Sequence, residues 1–313
     1  MNYRLRIVIQ ISLFIIGVVT ITHATAQQTE NGNELQANPV LGVLEDIPGL
    51  YSGKPDFRVV RAAFKKVGDH WEPFPTQTKS YLDLQTLPKS YPKEMKWTIA
   101  FDGRNLGTII SRTPSRFEDS SEIGIEQITS HGQVQTVGNN SIDYAVFRHT
   151  PVYRPLVAVS HPNFADPDQW KAASLSLSLV SAAREQFRNK FPKVSNCKSP
   201  EENIPRPWSY RDEDVKVAKA YSSKNGWSVI ELNLTGNCDG DQGQDAFHGQ
   251  WFAIDPSGPV KFLGEDMWLV DAGDYDNDGM SEILFSIDGD HTAGYRLFYQ
   301  EFRKSAEFVF NYY

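Results

Sequence analysis

The chain lacks the residue patterns that announce most enzymes. It has no His-x-His or His-Glu-x-x-His pair to suggest zinc, no Gly-x-Ser-x-Gly elbow and no glycine loop of the kind that cradles phosphate. Beyond the leader, its histidines stand singly at His70, His131, His149, His161, His248 and His291. Ser160 and His161 are adjacent, but neighbours along a strand point to opposite faces, so they make a poor Ser-His dyad. No catalytic residue is assigned. Long apolar runs are absent after the N-terminus, and only two cysteines, Cys197 and Cys238, are present. Basic charge is scarce where acidic charge is dense: from Asp239 to Asp290, thirteen acidic residues face Lys261 alone. A net charge of −8, made more negative once Arg4 and Arg6 are removed with the leader, argues against a nucleic-acid partner.

The N-terminus has the form of a secretory signal. Arg4 and Arg6 precede an apolar run from Ile7 to Ile21, and Ala24-Thr25-Ala26 offers a small-x-small cleavage site. A membrane anchor is the rival, but Gln10, Ser12 and Thr20 interrupt the run, which falls short of the roughly 20 residues needed to span. No cysteine stands directly after the cleavage site, which argues against a lipoprotein. The expectation is residues 1–26 as signal peptide, an exported (periplasmic or secreted) mature chain with no membrane span, and a polar, turn-rich, flexible segment over 27–46. Export exposes thiols to an oxidising environment, so Cys197 and Cys238 form a candidate disulfide. It encloses 40 intervening residues, a loop whose closure stabilises by about 4 kcal/mol on the chain-entropy account.

With 313 residues and 40% apolar content, the chain can bury a sizeable core. Its patterns are mainly β. Strands are expected over 57–64, 96–101, 108–111, 123–128, 144–149 and 156–160, with Asp102-Gly103 as a hairpin turn. One helix is expected between about Ser174 and Lys190, on the spacing of Leu179, Val180, Ala183, Phe187 and Phe191, and Pro192 stops it. Further strands at 215–221, 227–234, 251–254, 260–263, 295–300 and 307–312 complete antiparallel meanders. The organisation expected is a β-rich region over 47–165, then a helix and β-rich region over 166–313 that carries blade-like, partly β-propeller-like hairpins.

One stretch gathers oxygen ligands at regular spacing. In Met267–Ser286, Asp274, Asp276 and Asp278 alternate with Tyr275 and Asn277, Gly279 follows, and Glu282 stands ninth from Asp274. Carboxylates at places 1, 3 and 5 can point at one centre, a glycine at place 6 allows the sharp turn, and the carbonyl of Met280 can face inward. Calcium, which takes six to eight oxygens, is the cation expected. The helix-loop-helix calcium motif wants Glu at place 12, where this chain has Phe285. A strand-loop-strand hairpin suits the flanks better. Asp274, Asp276, Asp278, Gly279 and Glu282 together resemble the FG-GAP or VCBS repeat, the calcium loop of integrin-like propeller blades, over roughly residues 250–313.

Other acidic groups are read more plainly. Asp239, Asp241 and Asp245 lie among Gly and Gln without regular spacing, which leaves a second metal or a solvated hairpin tip. Asp288 and Asp290 flank Gly289 in a turn, or form an outer shell to the loop. The seven tryptophans and thirteen tyrosines offer sugar-stacking platforms or core. The functional expectation is therefore a secreted or periplasmic calcium-binding β protein, a binding or scaffold module for a protein or glycan ligand. The alternative is an exported hydrolase or lyase acting on glycan or envelope polymers, with structural calcium. Mass spectrometry of the exported protein should give Gln27 as first residue, and unfolded, unreduced material should contain no titratable thiol; an intact leader or two free thiols would contradict these readings.

Overall fold

The computed structural model describes residues 38–45, 59–75, 91–92, 94–112, 126–131, 155–196, 206–234, 247–289 and 292–311. All of them belong to one compact unit, Glu34–Tyr313. The chain is mainly β, its sheets are antiparallel, and one helix lies among the described residues. Residues 1–26, the strand expected over 144–149, both cysteines, the group Asp239, Asp241 and Asp245, and Asp290 fall outside them.

The first sheet contains β1 (Val40–Glu45), β2 (Val59–Val67), β3 (His70–Pro73), β4 (Met95–Phe101), β5 (Arg104–Ser111), β6 (Glu126–His131) and β7 (Leu156–Val159). Its order is β1-β7-β4-β5-β6-β2-β3, and β1 also pairs with β2, so the ladders run from strand to strand in a ring. β6 and β3 share one edge of β2, pairing with its beginning and its end. β1 corrects the flexible segment expected over 27–46. Val40, Leu41, Val43 and Leu44 are buried, because both edges of this apolar run find partners, β2 on one side and β7 on the other.

The second sheet, ordered β14-β13-β12-β11-β8, contains β8 (Lys171–Ala172), β11 (Val215–Ser222), β12 (Ser228–Leu234), β13 (Phe247–Ile254) and β14 (Val260–Gly264). Between β8 and β11 come helix α1 (Leu177–Lys190) and the short pair β9 (Val194–Asn196) and β10 (Arg206–Trp208). The helix begins where Ser176 accepts a hydrogen bond from the Leu179 amide, and Arg188 and Lys190 in its last turn suit the dipole. The third sheet is a four-stranded meander of β15 (Met267–Gly273), β16 (Glu282–Gly289), β17 (Thr292–Tyr299) and β18 (Lys304–Asn311).

Period-2 alternation explains how the sheets share the core. In the meander, Ile283, Phe285 and Phe298 join Val229, Trp251 and Ala253 of the second sheet. Their neighbours Leu284 and Leu297, with Phe308, turn the other way and join Val60, Phe64 and Leu41 of the first sheet. The second sheet alternates likewise, and Ile230, Leu232 and Phe252 pack on Ala183 and Phe187 of α1. A polar tie reinforces the contact with the first sheet: the Tyr295 hydroxyl donates to Glu45 Oε1 at 2.6 Å, and Glu45 also takes both Nε and Nη2 of buried Arg61 at 2.8 Å. The meander is thus covered on both faces. Phe285, wholly buried with its ring 4.9 Å from Trp251 and 5.7 Å from Phe298, should cost about 3–5 kcal/mol of stability when replaced by Ala. Urea unfolding of Phe285→Ala would check this, and a loss below about 1 kcal/mol would contradict the packing described.

Candidate metal centre

The acidic loop is the connection between β15 and β16. Their last paired residues are Gly273 and Glu282, so the ladder fixes both ends of 274–281. Inside, the loop is wound on its own carboxylates. Asp274 accepts from the amide of Asp278 at 3.0 Å through Oδ1 and from that of Gly279 at 2.9 Å through Oδ2. Asp276 Oδ1 accepts from the Asp278 amide at 3.2 Å, and Glu282 Oε2 from the Tyr275 amide at 2.7 Å. Winding so short a loop requires left-handed backbone at Asn277 (φ 63°) and Gly279 (φ 89°), residue types that tolerate it.

The result is convergence. One carboxylate oxygen from each of Asp274, Asp276 and Glu282 lies within 4.8 Å of the others, with Asp274 and Glu282 buried. The remaining expected ligands are placed differently. Asp278 is exposed, stands outside this triad, and accepts from the Met280 amide at 2.9 Å through Oδ1. Met280 occupies the exposed outer part of the loop. Ser160 is not part of a dyad: its hydroxyl accepts from the Val40 amide at 2.9 Å and pins the start of β1. Both ring nitrogens of His161 are buried without a hydrogen-bond partner.

Several neighbours of the loop escaped sequence reasoning. The segment before β8 lies along it: the Asp274 amide donates to Ala165 O at 2.9 Å, and the Ser281 hydroxyl to Asp166 Oδ1 at 2.6 Å. The Ser281 amide donates to Asp168 Oδ2 at 3.1 Å. Phe164 stacks on Tyr275 at 6.2 Å and 17°, a fit possible only because residue 273 is glycine, where a Cβ would meet the Phe164 ring at 2.4 Å. Asp166-Pro167-Asp168 carried a faint signal, a second closely spaced acidic pair ahead of the helix. The other neighbour carried none. Lys66, at the end of β2, places its ammonium on Asp276 Oδ2, with side-chain exposures of 11% and 3%.

Three carboxylates share one ammonium at the centre, and two negative charges would remain were all three ionised. Burial pushes the Glu282 carboxyl well above the usual range, and the charge of Asp276 adds to it. Asp278, though its surface is exposed, is raised by partial desolvation within the loop, with Asp276 and Asp274 repelling it. The Tyr275 phenol is also held well up by burial, and by Asp271 and Glu282. An all-oxygen donor set suits a hard cation rather than one preferring nitrogen or sulfur, and the residual charge suits a divalent one. The residues present therefore fit a metal ion.

Comparison with known proteins adds little to this picture. No family model matches the chain, and no solved structure matches it. A type III pantothenate kinase from Aquifex aeolicus (strain VF5) is 30% identical over 103 residues, which is 31% of this chain and 44% of that protein. The chain thus spans less than half the length of the curated relative it matches, and no family membership follows.

A carboxyl whose pKa is raised on folding means that the folded chain binds more protons than the unfolded one. The contribution of Glu282 is then greatest below its unfolded value, 4.5, and is lost as pH rises through the folded value. In chelator, stability should fall with rising pH across this window, and Glu282→Gln should flatten that fall. Urea midpoints at several pH values would measure it; identical slopes for the two proteins would contradict the placement of Glu282.

Proposed function

We propose that this is an exported calcium-binding β protein that serves as a binding or scaffold module, with calcium held by Asp274, Asp276 and Glu282. One observation carries the reading: three carboxylates converge at the closed end of a hairpin whose sheet is covered on both faces. Completion of the shell by Asp278 and the Met280 carbonyl is what the resemblance to the FG-GAP or VCBS loop implies. Calcium would supply the missing positive charge, and the chain's own residues do the rest. The Asp278 and Gly279 amides orient Asp274, the Tyr275 amide orients Glu282, and Phe164 shields the base of the loop. The module's ligand is proposed to be a protein or a glycan.

A small cleft adjoins the outer side of the loop, lined among others by Asp168, Trp170, Asn225, Trp227, Met280 and Glu301. Carboxylates beside aromatic rings are what the alternative, glycan cleavage, would need. Both acids are already engaged. Asp168 accepts from Asn225 Nδ2 at 2.5 Å and from the Ser281 amide, and Glu301 accepts from Arg303 Nη2 at 3.1 Å. Of the described residues, no helix is long and apolar enough to cross a membrane.

A ligand bound only by the folded form stabilises it by roughly 2.7 kcal/mol at one hundred times its dissociation constant. Melting with excess calcium should therefore occur several degrees above melting in chelator, and Asp276→Ala should abolish most of that difference. Equal melting temperatures for the wild type in the two buffers would refute the calcium reading.

A further inference from the structure

The feature that the calcium reading leaves unexplained is a cation of the protein's own. Lys66 comes from β2 of the first sheet, more remote in sequence than any other group at the centre, and its ammonium sits on Asp276 Oδ2. It is no loose surface lysine. Its side chain is largely buried, and the ammonium lies over the rings of Trp71 at 5.2 Å and Tyr299 at 5.6 Å, both favourable cation–π placements. The Tyr299 hydroxyl in turn accepts from the Trp71 amide at 3.4 Å, which ties the two walls of this pocket together. The pocket thus holds the ammonium beside one of the three converging carboxylates.

We infer that Lys66 is a built-in counter-ion that holds the metal-free loop ready and competes with calcium for Asp276. The inference rests on the calcium reading above and deepens it. Without metal, the ammonium offsets part of the repulsion among Asp274, Asp276 and Glu282, so their oxygens stay together. When calcium arrives, the ammonium must leave Asp276 Oδ2 or remain as a like charge a few ångströms from a divalent ion. Either way, binding is weakened. The loop thereby binds calcium more weakly than the same oxygens would without Lys66. Movement of the ammonium also alters what lies over Trp71, giving the first sheet a contact that reports on the metal.

The test is calcium titration calorimetry on the wild type and Lys66→Met, with melting in chelator measured on both. Lys66→Met should bind calcium at least tenfold more tightly while melting lower without calcium, because Asp276 has lost its partner. A residue that merely supported the loop would give lower melting together with equal or weaker binding, and that result would overturn the inference while leaving the calcium reading intact. Absence of binding by both proteins would instead remove the calcium reading, and the inference with it. Should Lys66→Met fail to fold, Lys66→Gln replaces it under the same criteria.

Discussion

Burial of the β15–β18 meander on both faces is the constraint from which the rest follows. A sheet with one wet face can let its end loops breathe, but here Leu284, Leu297 and Phe308 are held by the first sheet and Ile283, Phe285 and Phe298 by the second. Register is therefore fixed, since a slip by one residue would exchange these two apolar sets. The pairing of Gly273 with Glu282 is fixed with it. A short acidic loop closed by so firm a ladder cannot relax by opening, and its carboxylates stay close at the cost of mutual repulsion.

That repulsion is managed locally before any metal is considered. Backbone amides of Tyr275, Asp278 and Gly279 spread the charge of Glu282 and Asp274, and Lys66 supplies one full positive charge from another sheet. The remaining imbalance shows in the raised carboxyl of Glu282, which burial and Asp276 push in the same direction. A group in that state either keeps a proton or gives it up to a cation. Proton and metal therefore compete for one buried oxygen, and Lys66 competes with the metal for another.

Much of this was legible in the sequence because it is local. The alternation of Asp274, Asp276 and Asp278, with Gly279 at the turn, encodes the loop, and the flanking apolar runs encode the hairpin. Helix α1 follows from its periodicity and its stop at Pro192. What escaped is non-local. β1 falls in the flexible segment expected over 27–46, because composition cannot reveal that Val40–Glu45 finds a partner on each edge. Lys66 read as one more polar residue at a strand end, and its approach to Asp276 arises only when β2 and the meander pack together. Asp278 has the spacing of the other carboxylates but stands outside the converging triad, with Oδ1 accepting from the Met280 amide.

The central claim is that the converging oxygens of Asp274, Asp276 and Glu282 form a calcium site. The most direct measurement is a crystal structure grown with calcium, with anomalous scattering used to locate the ion. The account predicts one peak between these three carboxylates, with oxygens at roughly 2.3–2.6 Å and the Lys66 ammonium moved off Asp276 Oδ2. A centre without a peak at saturating calcium, with Lys66 still on Asp276 and the three carboxylates turned apart, would contradict it.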